Sequence, residues 1–354
     1  MAVADTRPVR ATEQLDWQRM ETWLRDRLPT CDIEGLDLDR PMVIEQFPGG
    51  HSNLTYLVRF GPTELVMRRP PLGPVAPTAH DMAREFRWLS AVHPVFALAP
   101  RAYLLCEDPE IVGSVFYMME RRHGIVVRYE EPLALQDPPM RRRVGRALVD
   151  ALADLHGVDL DASGLMHLGK PVGFVTRQVR GWTDRWQRSK TAELKEMETL
   201  ASWLDQHLPD DPQRPSIVHG DFKLDNLMLS ADRLDDIVAV FDWEMAALGD
   251  PLVDLGILLA YWTPTAPPSQ HDALTTVTSR PGWFTREEVI ARYAARSGRD
   301  LSQLRYFEVF ALFKIAVVIQ QIYFRFVRGQ TDDPRFATFG ERVAYLARHA
   351  VNMI

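Results

Sequence analysis

Apolar positions along the first third of the chain recur in two rhythms. Between Thr12 and Leu28, the residues Leu15, Trp17, Met20, Trp23, Leu24 and Leu28 fall near helical spacing, while Arg19, Glu21, Arg25 and Asp26 take other positions. That pattern predicts an amphipathic helix. The rhythm then shortens to strands. Residues 42–47 and 54–60 read as a hairpin around the turn at 48–53, and 64–69 supplies a third strand. A helix is expected over 81–92, where Met82, Phe86, Leu89 and Val92 recur at helical intervals. Two closing strands, 102–105 and 115–119, flank the turn at Asp108-Pro109.

Past Gly124 the helical period dominates, over residues 138–156, 174–207, 251–262, 286–297, 301–328 and 336–352, with strand-like pieces only between 216 and 242. The expected organisation is an N-terminal helix and cap (1–36), a sheet-rich lobe (37–121) and a helical lobe (122–354). The fold class is therefore α+β, with a small antiparallel sheet in one lobe and helices in the other. The stretch 263–283, rich in Pro, Ser, Thr and Gly, interrupts the helices and reads either as a substrate lid or as a surface excursion. No internal repeat or low-complexity tract occurs. The longest apolar run, Phe307 to Phe326, is broken by Glu308, Lys314, Gln320 and Gln321, which favours a buried helix over a membrane span.

Composition narrows the classes further. A chain of 354 residues suggests two lobes, and a formal net charge of −7 argues against broad nucleic-acid binding. Cys31 and Cys106 are far apart and outside any CxxC spacing, so neither a disulfide framework nor a zinc site is expected. The first residues, Met1-Ala2-Val3-Ala4-Asp5-Thr6, lack the charged and apolar regions of a secretory signal, so the cytoplasm is the expected compartment and no membrane partner is expected.

The chemistry gathers around His219-Gly220-Asp221-Phe222-Lys223-Leu224-Asp225-Asn226, with Asp242 sixteen residues beyond Asn226. Phosphoryl transfer needs such a set, because its catalysis rests on positioning and on charge stabilisation rather than on covalent chemistry. Asp221 can accept the proton of a substrate hydroxyl, and Asn226 and Asp242 offer the hard oxygens that Mg²⁺ requires. Lys223 can neutralise charge on the transferred group, and His219 is expected to fix the loop by donating a hydrogen bond. In the first lobe, Gly49, Gly50, His51, Ser52 and Asn53 form a turn that is either a plain hairpin connection or a loop whose N–H groups cradle phosphate. Arg68 is a candidate for holding phosphate oxygens, with Glu85 as its partner; Arg69 competes for the inward position, and strand alternation admits only one of the two.

These motifs, together with Asp242-Trp243-Glu244, Gly249-Asp250-Pro251 and Asp254, resemble the signature of the aminoglycoside phosphotransferase family within the protein-kinase-like superfamily, over about residues 40–330. The resemblance implies a two-lobe protein-kinase-like fold and transfer of the γ-phosphate of ATP (or GTP), with Mg²⁺, to a hydroxyl. It implies Asp221 as catalytic base, Asn226 and Asp242 as metal ligands, residues 49–53 as the phosphate-covering turn, and Met119, Glu120 and Arg121 as the connection whose backbone meets adenine. The family's phosphate-binding strand residue is commonly Lys, and this chain has Arg68 instead. The Gly-Gly-His-Ser-Asn-Leu-Thr-Tyr and Arg-Arg-Pro-Pro runs are most similar to the subgroup related to kinase-like domains fused to acyl-CoA dehydrogenases, which implies hydroxyacyl-CoA acceptors.

The expected acceptor is small. The helix from Phe174 carries Arg177, Arg180, Arg185, Arg188 and Lys190 interleaved with Trp182 and Trp186, which favours an anionic acceptor over a cationic aminoglycoside or amino-polyol. The plainer alternative is a solvated basic face with two packing tryptophans. A reading from another class, a nucleotide-binding pseudokinase or scaffold module, draws on the Arg68 substitution and is opposed by the complete set of acidic and amide positions.

Overall fold

The computed structural model describes residues 5–48, 53–72, 81–262 and 277–354. The chain forms two compact units, one of Met1–His123 with Ala239–Glu244, the other of Gly124–Val238 with Met245–Ile354. The helical part expected at 122–354 is thus not continuous, because the six residues that contain Asp242 belong with the sheet.

The first unit opens with α1 (Trp17–Arg27), capped by Asp16, whose side chain accepts from the Arg19 amide. That cap sets the start of the helix at Trp17, five residues after the expected start, and residues 11–13 form a separate 3₁₀ turn. Five antiparallel strands follow: β1 (Met42–Gln46), β2 (Leu54–Phe60), β3 (Thr63–Arg69), β4 (Ala102–Cys106) and β5 (Phe116–Glu120), in the order β1-β2-β3-β5-β4. One face of the sheet presents Tyr56, Val58, Leu65, Met67, Phe116 and Met118 to Met20, Leu24 and Leu28, forming a single apolar core. The other face carries Val66 and Arg68, since alternate residues of β3 point to opposite sides. Helix α2 (Met82–Val92), capped by Asp81, packs on β4 and β5 and buries Glu85 among Met82, Trp88, Leu89 and Val92. Arg69 is buried on the face opposite Arg68 and donates to the Val112 carbonyl at the end of the short helix α3 (Pro109–Val112), 2.8 Å away.

The second unit is built from α4 (Pro138–His156), α5 (Phe174–Ser189), α6 (Lys195–Gln206), α7 (Leu252–Trp262), α8 (Arg286–Ser297), α9 (Leu304–Val327) and α10 (Phe339–Val351). Helix α9 packs against α10, α7, α5 and α6. By length and composition it is apolar enough to cross a bilayer, yet nearly every residue from Leu304 to Gln320 is buried inside this unit. It approaches α7 so closely at Gly256 that a Cβ there would sit 2.5 Å from the Phe307 carbonyl oxygen. The single helix expected over 174–207 is broken in two. Lys190 leaves the helical region with ψ 136°, and the side-chain amide of Gln320 on α9 donates to the Ser189 carbonyl at 2.8 Å and to Thr191 Oγ1 at 3.2 Å. The C-terminus of α5 is therefore satisfied from another helix, which amphipathic period alone does not reveal. Short strands follow: β6 (Ser216–Val218) pairs with β9 (Ala247–Gly249), and β7 (Leu227–Leu229) with β8 (Ile237–Val240), whose last two residues are counted with the first unit.

Glu131, whose side chain is fully buried, ties the segment after residue 276 to α4. Its carboxylate accepts from Arg141 Nε at 3.0 Å and Nη2 at 2.7 Å, from Arg280 Nη1 at 2.6 Å and from Trp283 Nε1 at 2.9 Å. Removing it would leave the mostly buried Arg141 guanidinium without its counter-charge. Glu131→Ala is expected to lower unfolding free energy by about 3–5 kcal/mol, read as a reduced urea midpoint at unchanged m-value. A wild-type midpoint would show that the cluster adds nothing.

Candidate active site

In the first unit Arg68 stands on β3 opposite Thr55 of β2 and Tyr117 of β5. Its guanidinium divides between two acids: Nε lies 3.3 Å from Glu85 Oε2, and Nη2 lies 2.5 Å from Asp242 Oδ1, with Glu244 Oε2 at 4.0 Å. Burial disfavours the charge of Arg68, but Glu85, Asp242, Tyr117 and Glu244 together outweigh it and hold the group firmly cationic. Glu85 is only 1% exposed. Burial is the largest influence on its carboxyl, and with repulsion from Asp242 and Glu244 it outweighs Arg68 and lifts the pKa to about 7. Burial likewise pushes the Tyr117 phenol, which lies against Glu85, well above its usual range.

Asp242 has φ +71°, the only non-glycine residue at positive φ among those described. Aspartate is among the few side chains that tolerate this region, and residues held there cluster at functional sites. Glu244 gathers its neighbours: Asn53 Nδ2 donates to its carboxylate at 3.1 Å and Arg84 donates to its carbonyl. Asn53 is buried, while Gly49, Gly50, His51 and Ser52 lie outside the described residues. At the end of β5, Met119 pairs with Val66 and Ala102, and the Glu120 amide donates to the Arg101 carbonyl at 2.8 Å. The Glu120 side chain pairs with Arg122, and Arg121 lies over the Phe47 ring at 4.7 Å while pairing with Asp5.

In the second unit β6 leads into His219, and the loop that follows is held from beneath by Asp254 on α7. Asp254 Oδ2 accepts from the His219 amide at 2.6 Å and Oδ1 from the Gly220 amide at 2.7 Å. His156 Nε2 lies 3.2 Å from the same carboxylate, and its Nδ1 is 2.7 Å from the Tyr293 hydroxyl. Burial lowers the His156 pKa, against the pull of Asp254, so the ring is neutral. A carboxylate can only accept, so Nε2 carries the proton and Tyr293 donates to Nδ1. Asp254 is itself held below the usual carboxylate range, because His156, His219 and the Gly220 amide outweigh its burial. Gly220 has φ +83°, and a Cβ there would meet Met245 Cβ and O at 2.9 Å. The His219 ring does not donate to the loop as expected at its Nδ1; that atom accepts the Asp221 amide at 3.2 Å.

The loop then presents its polar groups together. Asn226 Nδ2 donates to both the carbonyl and Oδ2 of Asp221, at 2.9 Å each, which leaves its Oδ1 facing away as an acceptor. Lys223 Nζ lies 2.9 Å from Asp221 Oδ2 and 4.7 Å from the Tyr261 ring centroid. Burial disfavours its charge, but Asp221, Tyr261 and Asp225 raise its pKa well above that of an ordinary lysine. Among the described residues no three His, Cys, Asp or Glu side chains converge as a metal cage. Mg²⁺ does not need one, since it binds one or two protein oxygens together with phosphates and water. The carboxylate of Asp242 and the amide oxygen of Asn226 have the chemistry it takes.

Three groups at this loop escaped the reading of the sequence. His156 and Tyr293 sit inside amphipathic helices and carry no local motif. Lys314 on α9 donates to the Gly220 carbonyl and lies 5.4 Å from the Trp182 ring centroid; a lone lysine in an apolar helix was its one signal. The acceptor candidates on α5 need correction. Trp186 is 1% exposed and donates to Glu198 Oε1 at 3.0 Å, and Trp182 is 4% exposed and donates to Gln178. Both rings pack inside the helical unit, where neither offers a platform to a ligand. Arg177 is spent on the carbonyls of Val172 and Lys170, and Arg180 is exposed on the same helix.

A profile of the phosphotransferase enzyme family matches residues 43–291. The mouse acyl-CoA dehydrogenase family member 10 is 34% identical over 353 residues, which is 99% of this chain and 32% of that relative; the chain therefore spans about a third of its length. A crystal structure from Ralstonia eutropha, provisionally named an aminoglycoside phosphotransferase, is 30% identical, superposes with a TM-score of 0.80 and covers 96% of this chain and 98% of its own. A thermostable aminoglycoside phosphotransferase in ternary complex with AMP-PNP and hygromycin B shares the fold at 17% identity and a TM-score of 0.58, covering 93% of this chain and 97% of its own.

The Asp254 carboxylate is the hinge of the loop geometry. Asp254→Asn keeps its shape but leaves one acceptor oxygen where two amides and an imidazole converge. The expected loss is about 3 kcal/mol of stability, together with faster amide exchange at Gly220. Chemical denaturation and hydrogen exchange check both, and unchanged values would show that Asp254 does not hold the loop.

Proposed function

The chain belongs to the phosphotransferase enzyme family; from that premise we propose that it is a nucleotide-dependent small-molecule kinase with a hydroxyl acceptor, and we propose how its residues divide the work and which acceptor it takes. The observation that carries the reading is the Asp221 carboxylate. One oxygen is fixed by Asn226 and Lys223, and the backbone around it is fixed by His219 and Asp254. A group so restrained is suited to orient a hydroxyl and take its proton.

In the proposed step the acceptor oxygen bonds to the terminal phosphorus of ATP or GTP, the bond from that phosphorus to the bridging oxygen breaks, and the hydroxyl proton passes to Asp221. Lys223 offsets the charge on the transferred group. Arg68 holds nucleotide phosphate oxygens with its fork, backed by Glu85, and the backbone of Met119 to Arg121 meets the base. By resemblance to the family, residues 49–53 are proposed to cover the phosphates; of these only Asn53 is among the described residues. Asn226 Oδ1 and Asp242 are the donors proposed for Mg²⁺, which when bound neutralises phosphate charge.

For the acceptor we infer a hydroxyacyl-CoA or a related anionic hydroxy compound. The relative named as an acyl-CoA dehydrogenase family member aligns with nearly the whole chain, and a kinase unit joined to such a dehydrogenase would meet acyl-CoA thioesters. With Trp182 and Trp186 withdrawn into the core, Arg180, Arg185 and Arg188 are the exposed cations of α5 left to draw an anion. Purified protein with Mg²⁺ and ATP should phosphorylate hydroxyacyl-CoA thioesters in preference to an aminoglycoside panel. Turnover confined to aminoglycosides would overturn the acceptor assignment and leave the phosphotransferase reading intact.

Asp221→Asn is expected to lower kcat by about 10²–10⁴-fold while leaving the nucleotide-induced thermal shift at its wild-type size. A variant that turns over at the wild-type rate would remove Asp221 from the role of base.

A further inference from the structure

We propose that Lys314 is a positioning residue of the transfer reaction, holding the Gly220 carbonyl while Asp254 holds the Gly220 amide and thereby aiming the Asp221 carboxylate. The inference rests on the reading of Asp221 as the base, and it adds a residue from α9, far along the chain from that loop.

The geometry is two-sided. The Gly220 amide donates to Asp254 Oδ1 at 2.7 Å, and the Gly220 carbonyl accepts from Lys314 Nζ. Both polar groups of this one residue are thus fixed by side chains from two helices, α7 and α9, that pack on each other. Gly220 is also where the chain holds φ +83° with Met245 pressed against it, so the clamp acts where the backbone has the least room to move. Asp221 follows directly, and rotation about the Gly220–Asp221 peptide would swing its carboxylate away from Asn226.

Lys314 is 6% exposed, and among the described residues its Nζ bonds to the Gly220 carbonyl rather than to a carboxylate. Its ammonium also lies 5.4 Å from the Trp182 ring centroid. The charged groups that face Lys314 are Asp221 and Lys223 from the loop, Asp254 from α7 and Arg185 from α5. Burial, set against Asp221 and Asp254, lowers its pKa to about 8. A purely structural buried position is filled more cheaply by Met or Leu, since a buried ammonium carries a desolvation penalty that an apolar side chain does not.

The test is Lys314→Met, which keeps the length and apolar stem of the side chain. In hydrogen exchange, peptides covering residues 218–225 should exchange about tenfold faster than in wild type, the change produced by losing one hydrogen bond of about 1.4 kcal/mol. Exchange across the remainder of α7 and α9, and the thermal midpoint, should stay at wild-type values, whereas a merely structural role would raise exchange in both helices together. Where transfer is followed, kcat should fall at least about tenfold with nucleotide KM unchanged. The alkaline fall in wild-type kcat, centred near pH 8 as the ammonium loses its proton, should be absent from the variant. Wild-type protection of residues 218–225 in the variant would overturn the clamp. Failure of the wild-type protein to transfer phosphate would overturn the function proposed above and leave the exchange result standing.

Discussion

A single buried carboxylate organises the second unit. Asp254 accepts from two consecutive peptide N–H groups, those of His219 and Gly220, and from the His156 imidazole. Buried donors left unmet would each cost on the order of 1–3 kcal/mol, so the loop has a strong preference for the one conformation that delivers them together. The same carboxylate would be prohibitively costly to bury alone. Loop and acid therefore stabilise each other, and everything the loop offers to a substrate depends on that mutual dependence. Asp221, Lys223 and Asn226 can be semi-exposed because the residues just before them are not.

The network also shows how a histidine can be buried without becoming a proton carrier. His156 meets a carboxylate on one nitrogen and a phenol on the other, and its burial keeps it neutral. Its tautomer is set by Asp254, so it relays position rather than protons. His219 likewise uses Nδ1 to accept a backbone amide. Two histidines near a candidate base thus serve as spacers of defined polarity, and this leaves the Asp221 carboxylate as the group suited to take a proton.

Much of the fold was legible because it follows period. The five strands of the first unit are short apolar runs bounded by turn residues, α4 and α8 carry helical repeats, and α7 is a longer apolar run, so their existence and type could be read from the sequence. What escaped was decided by contacts distant in sequence. The break between α5 and α6 depends on Gln320, the start of α1 on a cap at Asp16, and the return of residues 239–244 to the sheet on Arg68. At the candidate site the motif residues could be picked out by their spacing, whereas Lys314, His156 and Tyr293 could not, because Lys314 meets the loop, and His156 and Tyr293 meet Asp254 and each other, from helices that carry no local motif. The tryptophans of α5 were open to two readings, ligand platform or packing, and they pack. An i,i+4 indole pair beside arginines has the same spacing whether it faces a ligand or a neighbouring helix.

The arginine on β3 has a physical logic of its own. A lysine ammonium is a point charge, whereas the guanidinium is a planar fork whose donors leave in fixed, diverging directions. Here Nε faces Glu85 on α2 and Nη2 faces Asp242, so one side chain bridges a helix and the strand-derived segment 239–244 at two different atoms. That bridge gives the segment a reason to belong to the sheet unit although the chain on both sides of it belongs to the other. It also couples two properties that a lysine would leave separate. An ionised carboxylate offers several acceptor sites, so Asp242 can remain bonded to Arg68 through Oδ1 and still present oxygen to a cation. The orientation in which it does so is set by the guanidinium plane and by the backbone at φ +71°.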